Sequence, residues 1–223
     1  MSDPTPDIMQ EYKRLRTAAE KGDMESQFKL GLFEHEGTGG KKDFDAAAKW
    51  FREAADQNHS EAQLYLGHCY IFGTGVPMNF EKAASYFQKS SDQGNTFAKV
   101  MLAVCYKHGR GVKPDPQKEA QLYLEASASG YPGSQYHLGI CYLKGHGVPK
   151  SAEKAAAWFN KAALHCHVKA QTILGLCYEK GSGVPQDDIK AAEWYRKAAE
   201  QGDEYAARKL QELQAKHGSP QGH

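Results

Sequence analysis

Leu174-Gly175-Leu176-Cys177-Tyr178, then Gly181-Ser182-Gly183-Val184-Pro185, then Lys190-Ala191-Ala192-Glu193-Trp194-Tyr195: this pattern is written five times along the chain, once every 36 residues, without insertion or deletion. Its leucine stands at Leu30, Leu66, Leu102, Leu138 and Leu174, each followed by Gly31, Gly67, Ala103, Gly139 or Gly175. Twenty residues after each leucine comes a large side chain (Trp50, Tyr86, Leu122, Trp158, Trp194), and beside it an aromatic (Phe51, Phe87, Tyr123, Phe159, Tyr195). A fixed period of this length marks a stack of small units, none able to bury its apolar face alone. Such stacks mostly bind other macromolecules along an extended surface.

Each unit reads as two antiparallel helices. In the second unit the first helix, helix A, is expected over about Ser60 to Phe72, where Ala62, Leu66, Gly67, Cys69 and Tyr70 recur at helical spacing on one face. Gly67 has no side chain and admits a neighbouring helix closely. A glycine loop then ends helix A, as in Gly73-Thr74-Gly75-Val76-Pro77. A glycine past a helix end adopts the left-handed cap without steric cost, and proline stops the helix running on. Helix B opens on Asp43, Asn79, Asp115, Ser151 or Asp187, all good acceptors for the free donors of a first turn. It closes near a turn column of Gly22, Gly94, Gly130 and Gly202, in which Asn58 and Cys166 replace glycine. Helix B carries Ala83, Ala84, Phe87 and their equivalents toward the core, and the tryptophans are expected there too, where their truncation to alanine costs about 3–5 kcal/mol.

The same register reaches both ends. Asp7 falls in the capping column, so residues 7–23 read as a lone helix B with Glu11 and Arg14 on a polar outer face. Residues 204–217 read as a lone helix A with Leu210 in the leucine column and Gln211 and Glu212 facing out. A stack needs such solvating caps to stay monomeric. The expected division is 1–23 (tail and capping helix), repeats at 24–59, 60–95, 96–131, 132–167 and 168–203, and 204–223 (capping helix and a mobile tail), all within one elongated domain.

Charge is balanced, with 28 basic and 27 acidic residues and a formal net charge of +1. No strong field draws the chain to nucleic acid or an anionic membrane, and no apolar run approaches the length of a membrane span. The start, Met1-Ser2-Asp3-Pro4, lacks the basic and apolar regions of a secretion signal. Cys69, Cys105, Cys141 and Cys177 share one column on the packed face, no second column pairs with them, and Cys166 stands alone. Free thiols and a cytoplasmic location are expected.

The pattern Ala62-x-x-x-Leu66-Gly67-x-x-Tyr70-x-x-Gly73-x-Gly75-Val76, followed by Lys82-Ala83 and Tyr86-Phe87, resembles the Sel1-like repeat, a relative of the tetratricopeptide repeat with a longer inter-helix loop. The first unit departs at Gly40, which stands where valine is usual, and the third at Ala103 and Glu119. The resemblance implies an all-α, right-handed superhelical solenoid of five repeats with helical end caps. It also implies an adaptor or scaffold for protein complexes, with a protein or peptide partner and no cofactor. A cysteine-rich branch of the family is linked to penicillin binding and β-lactam hydrolysis, which is the alternative function. That branch carries a disulfide in each repeat, and the paired cysteines are lacking here.

By analogy with tetratricopeptide stacks, the A helices line a concave face. That analogy nominates Phe28, Leu64, His68, Ile71, Phe72, Val100, Val104, Tyr136, Ile140, Leu143 and Leu176 as a partner-binding strip, with Lys107, Lys144 and Lys180 on its rim to meet acidic groups. The strip is more apolar than a solvated face requires, and such strips mark interaction sites. The same side chains could instead pack against the neighbouring A helix.

Other chemistry finds little support. His165-Cys166-His167 is the one local ligand cluster, but adjacent residues seldom supply three ligands to one tetrahedral ion, so no metal site is expected. The glycine loops follow helices rather than strands and lack the lysine-serine pair of a phosphate loop. The aromatic columns are helix-spaced, which fits a core better than a base-stacking platform. No serine sits in a Gly-x-Ser-x-Gly turn.

Overall fold

The computed structural model describes residues 5–218, with side chains through Lys216. The expectations about Met1–Pro4 and the tail Ser219–His223 lie outside them. Twelve α-helices and no strand occur among the described residues. None of these helices is long and apolar enough to cross a membrane. The chain falls into two compact units, Met1–Asp115 and Pro116–His223, with the boundary inside the third repeat.

Unit 1 holds α1 (Pro6–Glu20), α2 (Met24–Glu36), α3 (Phe44–Asp56), α4 (Ser60–Phe72), α5 (Phe80–Asp92) and α6 (Thr96–His108). Unit 2 holds α7 (Pro116–Ser127), α8 (Pro132–Lys144), α9 (Ala152–Leu164), α10 (Val168–Lys180), α11 (Asp188–Ala199) and α12 (Glu204–Gly218). Within each unit every helix packs on the next in sequence.

The cores rest on the aromatic column that follows the tryptophans. Phe51, Phe87, Tyr123, Phe159 and Tyr195 are all fully buried. An ideal Cβ on Gly31 would lie 2.6 Å from the Phe51 ring, and Gly67, Gly139 and Gly175 meet Phe87, Phe159 and Tyr195 in the same way. The glycine column therefore exists to seat the aromatic of the following helix. The tryptophans are displaced from the role expected of them: Trp50, Trp158 and Trp194 are only half-buried. Successive helix positions lie about 100° apart, so only one of two neighbouring aromatics can face the core. The other lies at its edge under a lysine, with Lys161 Nζ 3.9 Å from the Trp158 ring centroid and Lys197 Nζ 4.3 Å from that of Trp194.

The loops tie each repeat to the one before it. Gly37, Gly73, Gly109, Gly145 and Gly181 take the left-handed cap. The second loop glycine has a different duty. A Cβ on Gly75 would strike the Phe44 carbonyl, and in unit 2 one on Gly147 would strike that of Pro116. Each of these loops is thus pressed onto the first turn of the preceding helix B. Helix B is capped as expected by Asp43, Asn79, Ser151 and Asp187, whose side chains accept from Ala46, Lys82, Lys154 and Lys190 N–H.

Asp7 does not cap α1. Thr5 holds that position without a side-chain bond and Pro6 opens the helix. Proline's fixed φ suits a first turn, which starts the helix earlier and leaves Asp7 inside it, facing the positive end of the dipole. Glu11, Arg14, Gln211 and Glu212 are exposed. In unit 2, α12 is pinned by Lys209, whose Nζ lies 2.8 Å from a Glu179 oxygen that neighbours the Tyr195 hydroxyl partner.

Two structural columns escaped the sequence reading. Buried Gln27, Gln63 and Gln171 each donate to the carbonyl of an alanine eight residues back (Ala19, Ala55, Ala163). Each also accepts from a glutamine thirty residues on, Gln57, Gln93 or Gln201, at 2.7, 2.7 and 2.8 Å. In the fourth repeat His165 stands where that second glutamine belongs, and the buried Gln135 Oε1 has no partner. The other column caps helix A: Asp23, His59, Asn95, His167 and Asp203 accept from the third N–H of the helix.

Candidate functional site

The helix A positions nominated from sequence separate into two groups. In unit 2, Tyr136, Ile140 and Leu143 are half-buried and pack against the core formed by α9 and α10, and Leu176 packs against that of α11 and α12. Tyr136 stacks on His167 with ring centroids 4.8 Å apart. Lys144 and Lys180 are exposed. In unit 1, Ile71 is buried, Val100 and Val104 are half-buried, and Lys107 is exposed.

Phe28, Leu64, His68 and Phe72 come together in unit 1. They line a cavity of about 600 Å³ with Leu32, His35, Glu61, Tyr65, Cys69, Thr74, Asn95 and Phe97. α2, α4 and the start of α6 build it. On α4, residues 61, 64, 65, 68 and 72 fall at spacings of three and four, so one stripe faces the cavity. Phe28 and Leu64 form its floor: both are buried. Phe72 and Phe97 stand at its mouth, 70% and 56% exposed. Large apolar side chains this exposed within one cavity are what a binding surface displays.

The rings are held in place. Phe28 lies 4.6 Å from the His59 ring, stacked, and 5.6 Å from Tyr65, edge-on. Tyr65 sits 5.2 Å from the buried Phe51. His68 lies parallel to Phe72 at 6.2 Å and meets Phe87 edge-on at 5.4 Å. A surface whose rings are fixed by the core loses little freedom on binding. Electrostatically the cavity is nearly neutral. Burial holds His68 below the usual histidine range, favouring neutral imidazole, and pushes the Cys69 thiol up to about 11. Glu61 contributes the one carboxylate and no lysine or arginine lines the wall.

Tyr65 and Phe97 were not among the residues nominated. Tyr65 precedes His68 by three, so the helical stripe would have included it. Phe97 stands in the Glu61 column one repeat later, where only the cavity itself reveals that an aromatic closes the mouth.

All five cysteines are free. Cys166 adopts φ 59° at the turn column, as Asn58 does at 71°. His165 and Cys166 are exposed, while His167 Nδ1 accepts the Ala170 N–H at 3.2 Å. In the third repeat, buried Glu119 is met by the His146 Nε2 at 3.1 Å.

The family model described as Sel1 repeat matches residues 25–59, 60–95, 96–131, 132–165 and 168–203. No curated protein matches the chain. Among solved structures, a protective antigen of uropathogenic Escherichia coli strains displaying an SLR fold is 33% identical with a TM-score of 0.90, over 96% of this chain and 46% of that one. A Sel1 repeat protein from Oxalobacter formigenes is 34% identical with a TM-score of 0.81, over 91% of this chain and 59% of that one. The chain thus spans about half the length of these two proteins. A putative Sel1 repeat protein from Klebsiella pneumoniae, 19% identical with a TM-score of 0.54, shares the fold over 91% of this chain and 98% of its own.

Proposed function

This chain belongs to the Sel1 repeat family of all-α solenoid proteins, and we propose that it works as a protein-interaction scaffold that docks a peptide segment of a partner on the helix A face of unit 1. Sel1 repeat proteins are in general protein-interaction scaffolds. The observation that carries the finer reading is the cavity of α2, α4 and α6, with Phe72 and Phe97 exposed above a floor of Phe28 and Leu64. Burying two such rings under a partner removes a few hundred Å² of apolar surface from water, worth several kcal/mol at about 25 cal/mol per Å². The polar outer faces of α1 and α12 suit a scaffold that works as a monomer. Five free thiols suit the cytoplasm.

The test is an affinity capture from source-cell lysate with the native protein and a Phe72→Ala, Phe97→Ala variant. Both rings are largely exposed, so the variant should fold, which its melting curve checks. A protein held by the native chain and lost from the folded variant supports the reading. Equal capture by both moves the docking site elsewhere.

A further inference from the structure

We infer that the unit 1 cavity selects a peptide carrying a lysine or arginine next to its apolar anchor, and rejects acidic segments; this rests on the docking reading above. The observation is a mismatch in charge. Glu61 is exposed at the cavity wall, and among the described residues its carboxylate has no hydrogen-bond or ion-pair partner. Its counterpart one repeat earlier, Glu25, is engaged by Lys29 at 3.2 Å and His59 at 3.2 Å. No lysine or arginine lines the cavity, and His68 is held toward its neutral form by burial.

In the free protein water satisfies Glu61. Once a peptide fills the cavity, part of that water leaves, and a carboxylate losing solvent needs a compensating cation. A basic side chain supplies it. An acidic side chain there would face a like charge with no lysine or arginine in the wall to offset it, which is how interfaces reject wrong partners. The lysine rim at Lys107, Lys144 and Lys180, read from sequence as a contact for acidic groups, does not line this cavity.

The experiment is selection of random peptides of about twelve residues, displayed on phage, against the whole chain. Synthetic copies of the enriched peptides are then titrated by fluorescence anisotropy against the native protein, Glu61→Gln, Glu61→Lys and the Phe72→Ala, Phe97→Ala variant. Enriched sequences should pair a bulky apolar residue with lysine or arginine. Glu61→Lys should weaken them about fivefold or more at low salt, Glu61→Gln less, and a peptide with its base changed to glutamate should recover on Glu61→Lys. Loss of binding on removing the two rings, with indifference to Glu61→Lys, overturns the charge selection and leaves the docking reading standing. Enrichment of acidic or uncharged peptides likewise overturns the selection alone. Binding indifferent to both changes, or no enrichment at all, overturns both.

Discussion

His165→Gln should stabilise the protein, because the fourth repeat lacks one rung of the glutamine ladder. In three repeats a buried glutamine of helix A accepts from a glutamine thirty residues later, at 2.7–2.8 Å. In the fourth, His165 fills the donor's place and the buried Gln135 Oε1 has no partner. The backbone already suits the change. His165 has φ −92° and ψ 28°, against −85° and 11° at Gln57 and −84° and 5° at Gln93. A net hydrogen bond contributes about 0.5–1.5 kcal/mol, and an unsatisfied buried acceptor costs about 1–3 kcal/mol. Ordering an exposed glutamine opposes this with up to about 1.5 kcal/mol of lost rotamer freedom. A gain of about 1 kcal/mol remains, or roughly 2–4 °C in Tm for a chain of this size. The reverse change, Gln93→His, orphans Gln63 Oε1 and should cost a similar amount. Thermal melts read by circular dichroism decide the matter. A His165→Gln variant no more stable than the native protein, or a Gln93→His variant with no loss, would refute the ladder.

Acid should weaken the fold in the range where histidines titrate. Burial holds His167 below its ordinary pKa, and its Nδ1 must stay unprotonated to cap α10. The unfolded chain, titrating near 6.5, therefore takes up protons first. Stability is full above that pH and declines as pH falls toward the folded value. His68, also held low by burial, acts in the same direction. His167→Asn keeps a capping acceptor, as Asn95 does, and should shrink the drop in Tm between pH 7.5 and 5.5; parallel profiles would contradict the assignment. Phe159→Ala should cost about 3–5 kcal/mol and Trp158→Ala about half as much, because the first ring is fully buried and the second only half; denaturant melts showing equal losses would refute the reassigned core. A thiol reagent on the native protein should react quickly with Cys166 alone, since the other four cysteines are buried and burial pushes Cys69, Cys105 and Cys177 up to about 11. More than one fast thiol would contradict the packing.

Much of this fold is legible in the sequence because identical columns repeat the same physical demand. Helix A of the second repeat, read as Ser60 to Phe72, has those bounds in the structure. The caps at Asp43, Asn79, Ser151 and Asp187 and the substituted turn at Asn58 and Cys166 follow from local backbone chemistry. What escaped depends on direction and distance. The sequence reading sends both adjacent aromatics to the core, and only the helix's rotation decides that Phe159 is buried and Trp158 lies at the edge. Buried glutamines look like surface residues until their partners thirty positions away are seen. In unit 1, four residues of the nominated strip, Phe28, Leu64, His68 and Phe72, line one cavity. Columns make all repeats look equal, however, and do not reveal that Tyr136, Ile140 and Leu143 pack against core while Phe72 and Phe97 are largely exposed.

The central claim is that the aromatic cavity of unit 1 is where a partner docks. Its most direct test places a photo-crosslinking benzoyl-phenylalanine at Phe72, with a control at Tyr86, a half-buried α5 residue outside the cavity lining. The account predicts that irradiation in source cells yields a discrete protein adduct from position 72, competed away by the peptides selected on the native chain, and none from position 86. An adduct from position 86 with none from position 72 would contradict it.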